Sequence, residues 1–260
     1  MIPIRYPDDF VNRIICADCR KSMRKIPAES IDLVITSPPY NVGKEYEDNL
    51  TPDEYYNFIL SVLKEILRIL KPAGRVCWNV PYQMYPKSYD APYSQHYFSM
   101  KAIMESGLKF RDNITWNQQV SDNETAWGSW NSPSSPWLRH QTEAIIIAYK
   151  GSWKLQKKGK SDLTAGEFMK YILDKWDMQS AKRAGHPAPF PIELPYRCIK
   201  LFSWVSAIVL DPFAGSGTTA LACKLLNRNF IGIEVKPKYC KIARNRVYGL
   251  EKFFKDPPVG

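Results

Sequence analysis

Ala207-Ile208-Val209-Leu210-Asp211-Pro212-Phe213-Ala214-Gly215-Ser216-Gly217-Thr218-Thr219-Ala220 decides how this chain folds. Apolar residues run into a turn rich in glycine, and the turn opens a helix. Gly215, Gly217 and Ala220 give the Gly-x-Gly-x-x-Ala form of the strand-to-helix nucleotide fingerprint, where glycine lets backbone and ligand approach closely. Asn229-Phe230-Ile231-Gly232-Ile233-Glu234 follows as the next strand and ends in an acid 17 residues past Gly217. That acid, Glu234, is placed to accept hydrogen bonds from a ribose diol. Strand, turn, helix, strand and acid in this order predict an α/β fold with a nucleoside-containing ligand on the loop.

Asp211 bears on which nucleoside. A dinucleotide sets its pyrophosphate against such a turn, where a carboxylate repels it, whereas a ligand with an α-ammonium and a sulfonium is attracted. S-adenosylmethionine is such a ligand. A dinucleotide oxidoreductase remains the rival explanation of the glycine loop.

Outward from the loop, Ile192 to Ser203 reads as a helix ahead of the strand, and Pro237 to Tyr248 as the closing helix. Near the N-terminus, Arg13-Ile14-Ile15-Cys16 is a short strand with Asp18 at its exit. Ile31-Asp32-Leu33-Val34-Ile35 is another, and it runs into Thr36-Ser37-Pro38-Pro39-Tyr40-Asn41, where two prolines forbid further ladder pairing. Thr51-Pro52-Asp53-Glu54 starts a helix, with Thr as N-cap, Pro in the first turn and Glu three residues past the cap. Its apolar residues recur at helical spacing to Leu70, and Arg75 to Val80 follows as a strand. From about Pro81 to Gly185 periodicity weakens and aromatic and basic residues gather, among them Trp116, Trp127, Trp130, Trp137 and Trp153. This stretch reads as an insertion, with a solvated, aromatic-ballasted subdomain as the plainer alternative. Lys150, Lys154, Lys157, Lys158 and Lys160 cluster within it.

Ser37-Pro38-Pro39-Tyr40 is the second chemical motif. Two prolines fix the backbone so that the Ser37 oxygen and the Pro38 carbonyl stand as acceptors, with a flat ring beside them. An exocyclic aromatic amine is a poor nucleophile because its lone pair is delocalised into the ring. Two acceptors on its hydrogens push it toward tetrahedral geometry and free that pair.

Thirty-six Lys and Arg against twenty-six Asp and Glu give +10, the electrostatic footprint of a nucleic-acid partner. A DNA-binding module with a relic cofactor fold would share that charge. The six cysteines are too scattered for a disulfide framework, and Cys16-Ala17-Asp18-Cys19 has no second pair, so no metal is expected. Apolar stretches fall far short of the roughly 20 residues of a membrane span. Acids and prolines at the N-terminus do not read as a signal peptide, and a cytoplasmic protein is expected.

Taken together, Ser37-Pro38-Pro39-Tyr40 and Asp211-Pro212-Phe213-Ala214-Gly215-Ser216-Gly217-Thr218-Thr219 resemble the catalytic (S/D/N)PP(Y/F/W) motif and the cofactor loop of the amino-group DNA methyltransferases. Catalytic motif first and cofactor loop near the C-terminus is similar to the circularly permuted order of that family's β group. His186-Pro187-Ala188-Pro189-Phe190-Pro191 resembles the segment before the cofactor loop.

The resemblance implies a Rossmann-like S-adenosylmethionine-dependent methyltransferase fold. Its catalytic half would span residues 1–80, a target-recognition insertion 81–185 and a cofactor-binding half 186–260. It implies that Ser37, Pro38, Pro39 and Tyr40 act on the target base. Asp18, Cys19, His186, Pro187, Asp211, Phe213, Gly215, Ser216, Gly217, Thr218, Thr219 and Glu234 would hold S-adenosyl-L-methionine.

Double-stranded DNA is the implied partner, with the base flipped out of the duplex and the five lysines of the cluster on its phosphates. Lys236, Lys238, Lys241, Arg244 and Arg246 on the last helix would extend that surface or form an ordinary solvated face. A cognate restriction endonuclease and a homodimer are the further partners the resemblance raises. In this family Ser in the first motif position is associated with cytosine N4, Asp more often with adenine N6. A C5-cytosine enzyme is disfavoured, because its nucleophilic Cys follows Pro and the chain has no Pro-Cys pair.

Overall fold

The computed structural model describes residues 5–41, 50–84, 93–118, 128–138, 140–181 and 190–249. An eight-stranded sheet, β1 (Arg13–Cys16), β2 (Ile31–Thr36), β3 (Leu70–Pro81), β4 (Lys109–Asn117), β5 (Thr142–Tyr149), β6 (Lys175–Asp177), β7 (Ile208–Asp211) and β8 (Asn229–Glu234), runs in the order β1-β8-β7-β2-β3-β5-β4-β6. Helices α1 (Cys19–Met23), α2 (Pro52–Ile69) and α3 (Gln95–Glu105) cover one face. Helices α4 (Ala165–Tyr171), α5 (Glu193–Phe202), α6 (Thr218–Leu225) and α7 (Pro237–Tyr248) cover the other. The fold is the expected α/β type.

Local sequence explains the main elements. Thr51 and Glu54 form the complete capping box at the start of α2. Tyr55, Ile59, Val62, Leu63 and Ile66 then bury the apolar face of α2 against the sheet. In β5 consecutive residues alternate between two cores: Ile145 and Ile147 pack toward α5, Ile146 and Ala148 toward α2 and α3. A strand covered on both faces reads as a continuous apolar run, not as an alternation. Each such isoleucine stabilises the fold by about 1.5–3 kcal/mol on burial.

Strands β1, β8, β7, β2 and β3 are parallel, so Cys16, Glu234, Asp211, Thr36 and Pro81 all emerge at one edge. At the junction of β2 and β7 the chain winds outward in both directions, through α2 to β3 and through α6 to β8. That is the topological switch point, where open α/β sheets bind ligands. The Thr36 hydroxyl bridges it, donating to Asp211 Oδ1 at 2.6 Å.

The stretch expected to be an insertion, residues 81–185, is different from that reading. It supplies α3, β4, β5, α4 and β6, and the strands continue the same sheet: β5 pairs antiparallel with β3, β4 antiparallel with β5, and β6 parallel with β4. The tryptophans divide accordingly. Trp116 is buried and donates to the Met178 carbonyl at 2.9 Å, and Trp153 lies under the Arg75 guanidinium at 4.2 Å. Trp130 is 80% exposed and Trp137 50%, both on the β4–β5 connection at the carboxyl edge. Trp127 lies outside the described residues.

Candidate active site

A cavity of about 590 Å³ opens at the switch point. The ends of β1, β2, β7 and β8 line it with Asp18, Cys19, Arg20, Ser37, Pro38, Pro39, Tyr40, Phe213, Gly215, Ser216, Thr218 and Glu234. The motifs at 37–40 and 213–218 thus share one wall system, although about two thirds of the chain separates them. The volume lies within the roughly 300–1,000 Å³ usual for small-molecule sites.

Around the loop after β7, Gly215 and Gly217 take φ of +50° and +80°, which glycine adopts without strain. A Cβ on Gly217 would stand 3.0 Å from Ala243 Cβ, so this residue is selected by the approach of α7 and not by the ligand. Glu234 Oε2 accepts from the Gly215 amide at 2.9 Å and Oε1 from the Lys236 amide at 2.8 Å, while the carboxylate still lines the cavity. Burial raises its pKa above the ordinary carboxylate value. Arg246 of α7 reaches beneath the loop and donates to the Ser216 carbonyl (2.8 Å) and hydroxyl (2.6 Å).

Asp18 caps α1 through the Arg20 and Lys21 amides and pairs with the Arg20 guanidinium at 3.0 Å. Burial alone would raise its pKa, but these donors and the Arg20 charge hold it below the usual value. Cys19 is pushed up to about 12, mainly by burial, and is a neutral thiol. Arg20 also stands over the Phe58 ring at 5.1 Å.

Several expectations need correction. Asp211 does not face the cavity: it is 3% exposed, and its oxygens accept from Thr36 (2.6 Å), Thr219 (2.7 Å) and the Phe213 amide (3.1 Å). It fastens the loop to β2 instead of drawing a cationic ligand, and burial pushes its pKa up to about 6. Thr219 is turned toward Asp211 for the same reason, and neither it nor Gly217 lines the cavity.

The lysine cluster is at the wrong edge. Because β5 runs against β3, Glu143 stands opposite Pro81 at the carboxyl edge and Tyr149 opposite Arg75 at the other. Lys150, Lys154, Lys157, Lys158 and Lys160 follow Tyr149, roughly 23 Å along the strands from the cavity edge at about 3.3 Å per residue. Lys150 is itself tied down, donating to the Leu70 carbonyl at 2.8 Å, and the Trp204 indole holds the Lys157 carbonyl at 3.0 Å.

On the last helix, Arg244 donates to the Ile14 carbonyl at 2.9 Å and Arg246 clamps the loop, so these two serve the fold and not a DNA surface. His186 and Pro187 lie outside the described residues.

The Ser37 to Tyr40 motif carries a network that sequence reading missed. Tyr40 Oη lies 2.7 Å from Ser37 Oγ and donates to Glu143 Oε2 at 3.0 Å. Ser37 Oγ donates to the Asn79 carbonyl at 3.1 Å. The Asn79 amide donates to Glu143 Oε2 at 2.6 Å, and Gln118 to Oε1 at 2.8 Å. Burial, reinforced by the Glu143 carboxylate, holds the Tyr40 phenol well above its ordinary pKa, so it stays a donor. Tyr55 donates to the Pro39 carbonyl at 2.8 Å, and Asn41, at φ +57°, exchanges two hydrogen bonds with Leu50. One signal for Glu143 was available: an acid heading a buried apolar strand has no reason to be there unless something at that edge needs it.

Strand order, a ligand-sized cavity at the switch point and an acid beside a glycine loop define an S-adenosylmethionine-dependent methyltransferase. The chain belongs to the DNA methylase family N6_N4_Mtase, whose model matches residues 31–245. It is 30% identical over 256 residues to the type II methyltransferase M.BglII of Bacillus subtilis, covering 93% of this chain and 70% of that protein. With the type II methyltransferase M.MjaVI of Methanocaldococcus jannaschii it shares 38% over 154 residues, 58% of this chain and 78% of the other. TTHA0409 of Thermus thermophilus, solved in complex with S-adenosyl-L-methionine, superposes with a TM-score of 0.73 at 26% identity, over 91% of this chain and 95% of that one.

The cavity fits this cofactor. The Glu234 carboxylate suits a ribose diol, Phe213 and Phe58 offer apolar surface, and Asp18 supplies an acceptor beside the end of β1. When bound, S-adenosylmethionine supplies a methyl group activated by a sulfonium. The chain methylates DNA with it. Among the described residues no helix is long and apolar enough to cross a membrane.

Proposed function

We propose that the chain methylates the exocyclic N4 of cytosine at a specific duplex sequence, acting on a base turned out of the helix, as a circularly permuted β-group enzyme. The observation that carries this reading is Ser37. Ser37 lines the cavity, its Oγ lies 2.7 Å from Tyr40 Oη, and its one hydrogen goes to the Asn79 carbonyl or to Tyr40, which leaves lone pairs to accept from an amine. A hydroxyl at this position, where adenine enzymes of the family more often carry Asp, favours cytosine. Ser37 Oγ and the Pro38 carbonyl accept from the amine and free its lone pair, and the Tyr40 ring forms one side of the slot. Asp18, Phe213, Gly215, Ser216 and Glu234 orient the cofactor across from it.

For the duplex, the β4–β5 connection is the better candidate surface. Trp130, Trp137 and Leu138 are exposed there, on the same edge as Ser37. Aromatic side chains that remain in water at a catalytic edge suit stacking on bases. A cognate endonuclease remains part of the reading, because the relatives named above are type II methyltransferases.

Adenine N6 is the second reading, since the family takes its name from both amino groups. Mass spectrometry of nucleosides from the DNA of cells expressing the chain decides between them. N4-methylcytosine is expected, and N6-methyladenine alone would overturn the assignment.

A further inference from the structure

Ser37 Oγ, Tyr40 Oη and Glu143 Oε2 form an unbroken line that starts at the cavity wall and ends on a carboxylate, with steps of 2.7 and 3.0 Å. Each hydroxyl has one hydrogen to give, and an ionised carboxylate only accepts. If Glu143 takes the Tyr40 hydrogen, Tyr40 Oη can take that of Ser37. Both lone pairs of Ser37 are then able to accept, and its 3.1 Å contact with the Asn79 carbonyl goes without a hydrogen. The Asn79 amide at 2.6 Å and the Gln118 amide at 2.8 Å hold the carboxylate in place from two sides. An amide at position 143 could keep its one oxygen for Tyr40 and Asn79, with its NH2 turned to Gln118 in place of Oε1, and it would not take up a proton.

The geometry points to Glu143 as the terminal proton acceptor of the reaction, acting through Tyr40 and Ser37. This rests on the reading of Ser37 as the partner of the target amine. As the amine nitrogen bonds to the methyl carbon, the carbon–sulfur bond breaks and its electron pair leaves with sulfur. The nitrogen is then cationic and must lose a hydrogen. That proton passes to Ser37 Oγ, the Ser37 proton to Tyr40 Oη, and the Tyr40 proton to Glu143 Oε2. The product amine is neutral, both hydroxyls are restored and Glu143 is left protonated, to be discharged to solvent before the next turnover. Glu143 is therefore a positioning residue that touches neither base nor cofactor.

The test compares Glu143→Gln, Glu143→Asp and Ser37→Ala with the parent in single-turnover methylation of a duplex carrying the recognition sequence. Melting temperature and the dissociation constants for duplex and S-adenosylmethionine are measured alongside. Glu143→Gln keeps an oxygen for Tyr40. It is expected to bind both ligands as the parent does and to transfer the methyl about 100-fold more slowly, the lower range of general acid–base effects. Glu143→Asp should recover part of the rate. A Glu143→Gln protein at the parental rate, with Ser37→Ala slow, would overturn the relay and leave the amine reading intact. Parental rates for both would sink that reading as well. Should Glu143→Gln fail to fold, Tyr40→Phe breaks the same line without touching the carboxylate, and a parental rate there would overturn the relay equally.

Discussion

Thr36 Oγ1 and Asp211 Oδ1, 175 residues apart in sequence, meet at 2.6 Å across the junction of β2 and β7. This bond ties the strand that leads into Ser37-Pro38-Pro39-Tyr40 to the strand that leads into the glycine loop at 213–218. Asp211 is thereby a fastening between the two halves of the site. Its burial carries a pH signature. With an ordinary value of 3.8 and a folded value of about 6, the folded protein binds the proton more tightly than the unfolded chain. Its contribution to stability is full below pH 4 and is lost as pH rises through about 6, amounting to about 3 kcal/mol at 1.4 kcal/mol per unit. Asp211→Asn does not titrate. Denaturant unfolding at pH 4 and pH 7 should show the variant gaining on the parent as pH rises, and a gap independent of pH would contradict this role.

Glu234 is expected to matter to the cofactor in two ways. It lines the cavity, and it holds the Gly215 amide that shapes the loop. Glu234→Ala removes charge-assisted hydrogen bonds worth about 1.5–3 kcal/mol, so S-adenosylmethionine affinity by calorimetry should fall about 10- to 150-fold. Unchanged affinity would mean that the ribose sits elsewhere.

What could be read in advance followed local rules. β1, β8 and α7 have the bounds that turn residues give them, and the α2 capping box is visible in Thr51 and Glu54. What could not be read depended on tertiary direction. Ala144 to Ala148 is buried on both faces, so it lacks the period of two that marks a strand, and nothing local says that it runs antiparallel. That one reversal sends Lys150 to Lys160 away from the cavity and brings Glu143, 103 residues from Tyr40, up to its hydroxyl. Asp211 departs from its expected role for a related cause: its charge is legible in the sequence, but the two threonine hydroxyls that fill its oxygens are not.

The lysine cluster and the exposed tryptophans therefore make opposed predictions. Replacing Lys154, Lys157 and Lys158 together with Ala should leave affinity for the target duplex within about 2-fold, as for surface changes away from a site. Trp130→Ala, at the carboxyl edge, should weaken it about 5- to 150-fold if the ring stacks on DNA at about 1–3 kcal/mol. Fluorescence anisotropy on one labelled duplex measures both. A strong loss in the lysine variant with none in Trp130→Ala would place the duplex on the opposite edge of the sheet.

Ser37 and Tyr40 should separate binding from chemistry. Ser37→Ala removes one acceptor from the target amine, an interaction that strengthens as the nitrogen becomes tetrahedral, so the transition state loses more than the ground state. At about 1–3 kcal/mol for a buried hydrogen bond, single-turnover rate should fall about 5- to 150-fold while both dissociation constants hold. Tyr40 combines two roles in one side chain. Its ring borders the cavity, and its hydroxyl lies between Ser37 and Glu143. Tyr40→Phe keeps the ring and should bind DNA as the parent does, yet turn over slowly, because Ser37 loses its link to Glu143. Tyr40→Ala loses the ring too, and duplex affinity should then fall with the rate, by the about 1–3 kcal/mol of one stacked base. Rate and affinity measured on the same duplex distinguish these outcomes. A Tyr40→Phe protein at the parental rate would reduce the hydroxyl to a packing contact, and a Tyr40→Ala protein with parental duplex affinity would take the ring out of base recognition.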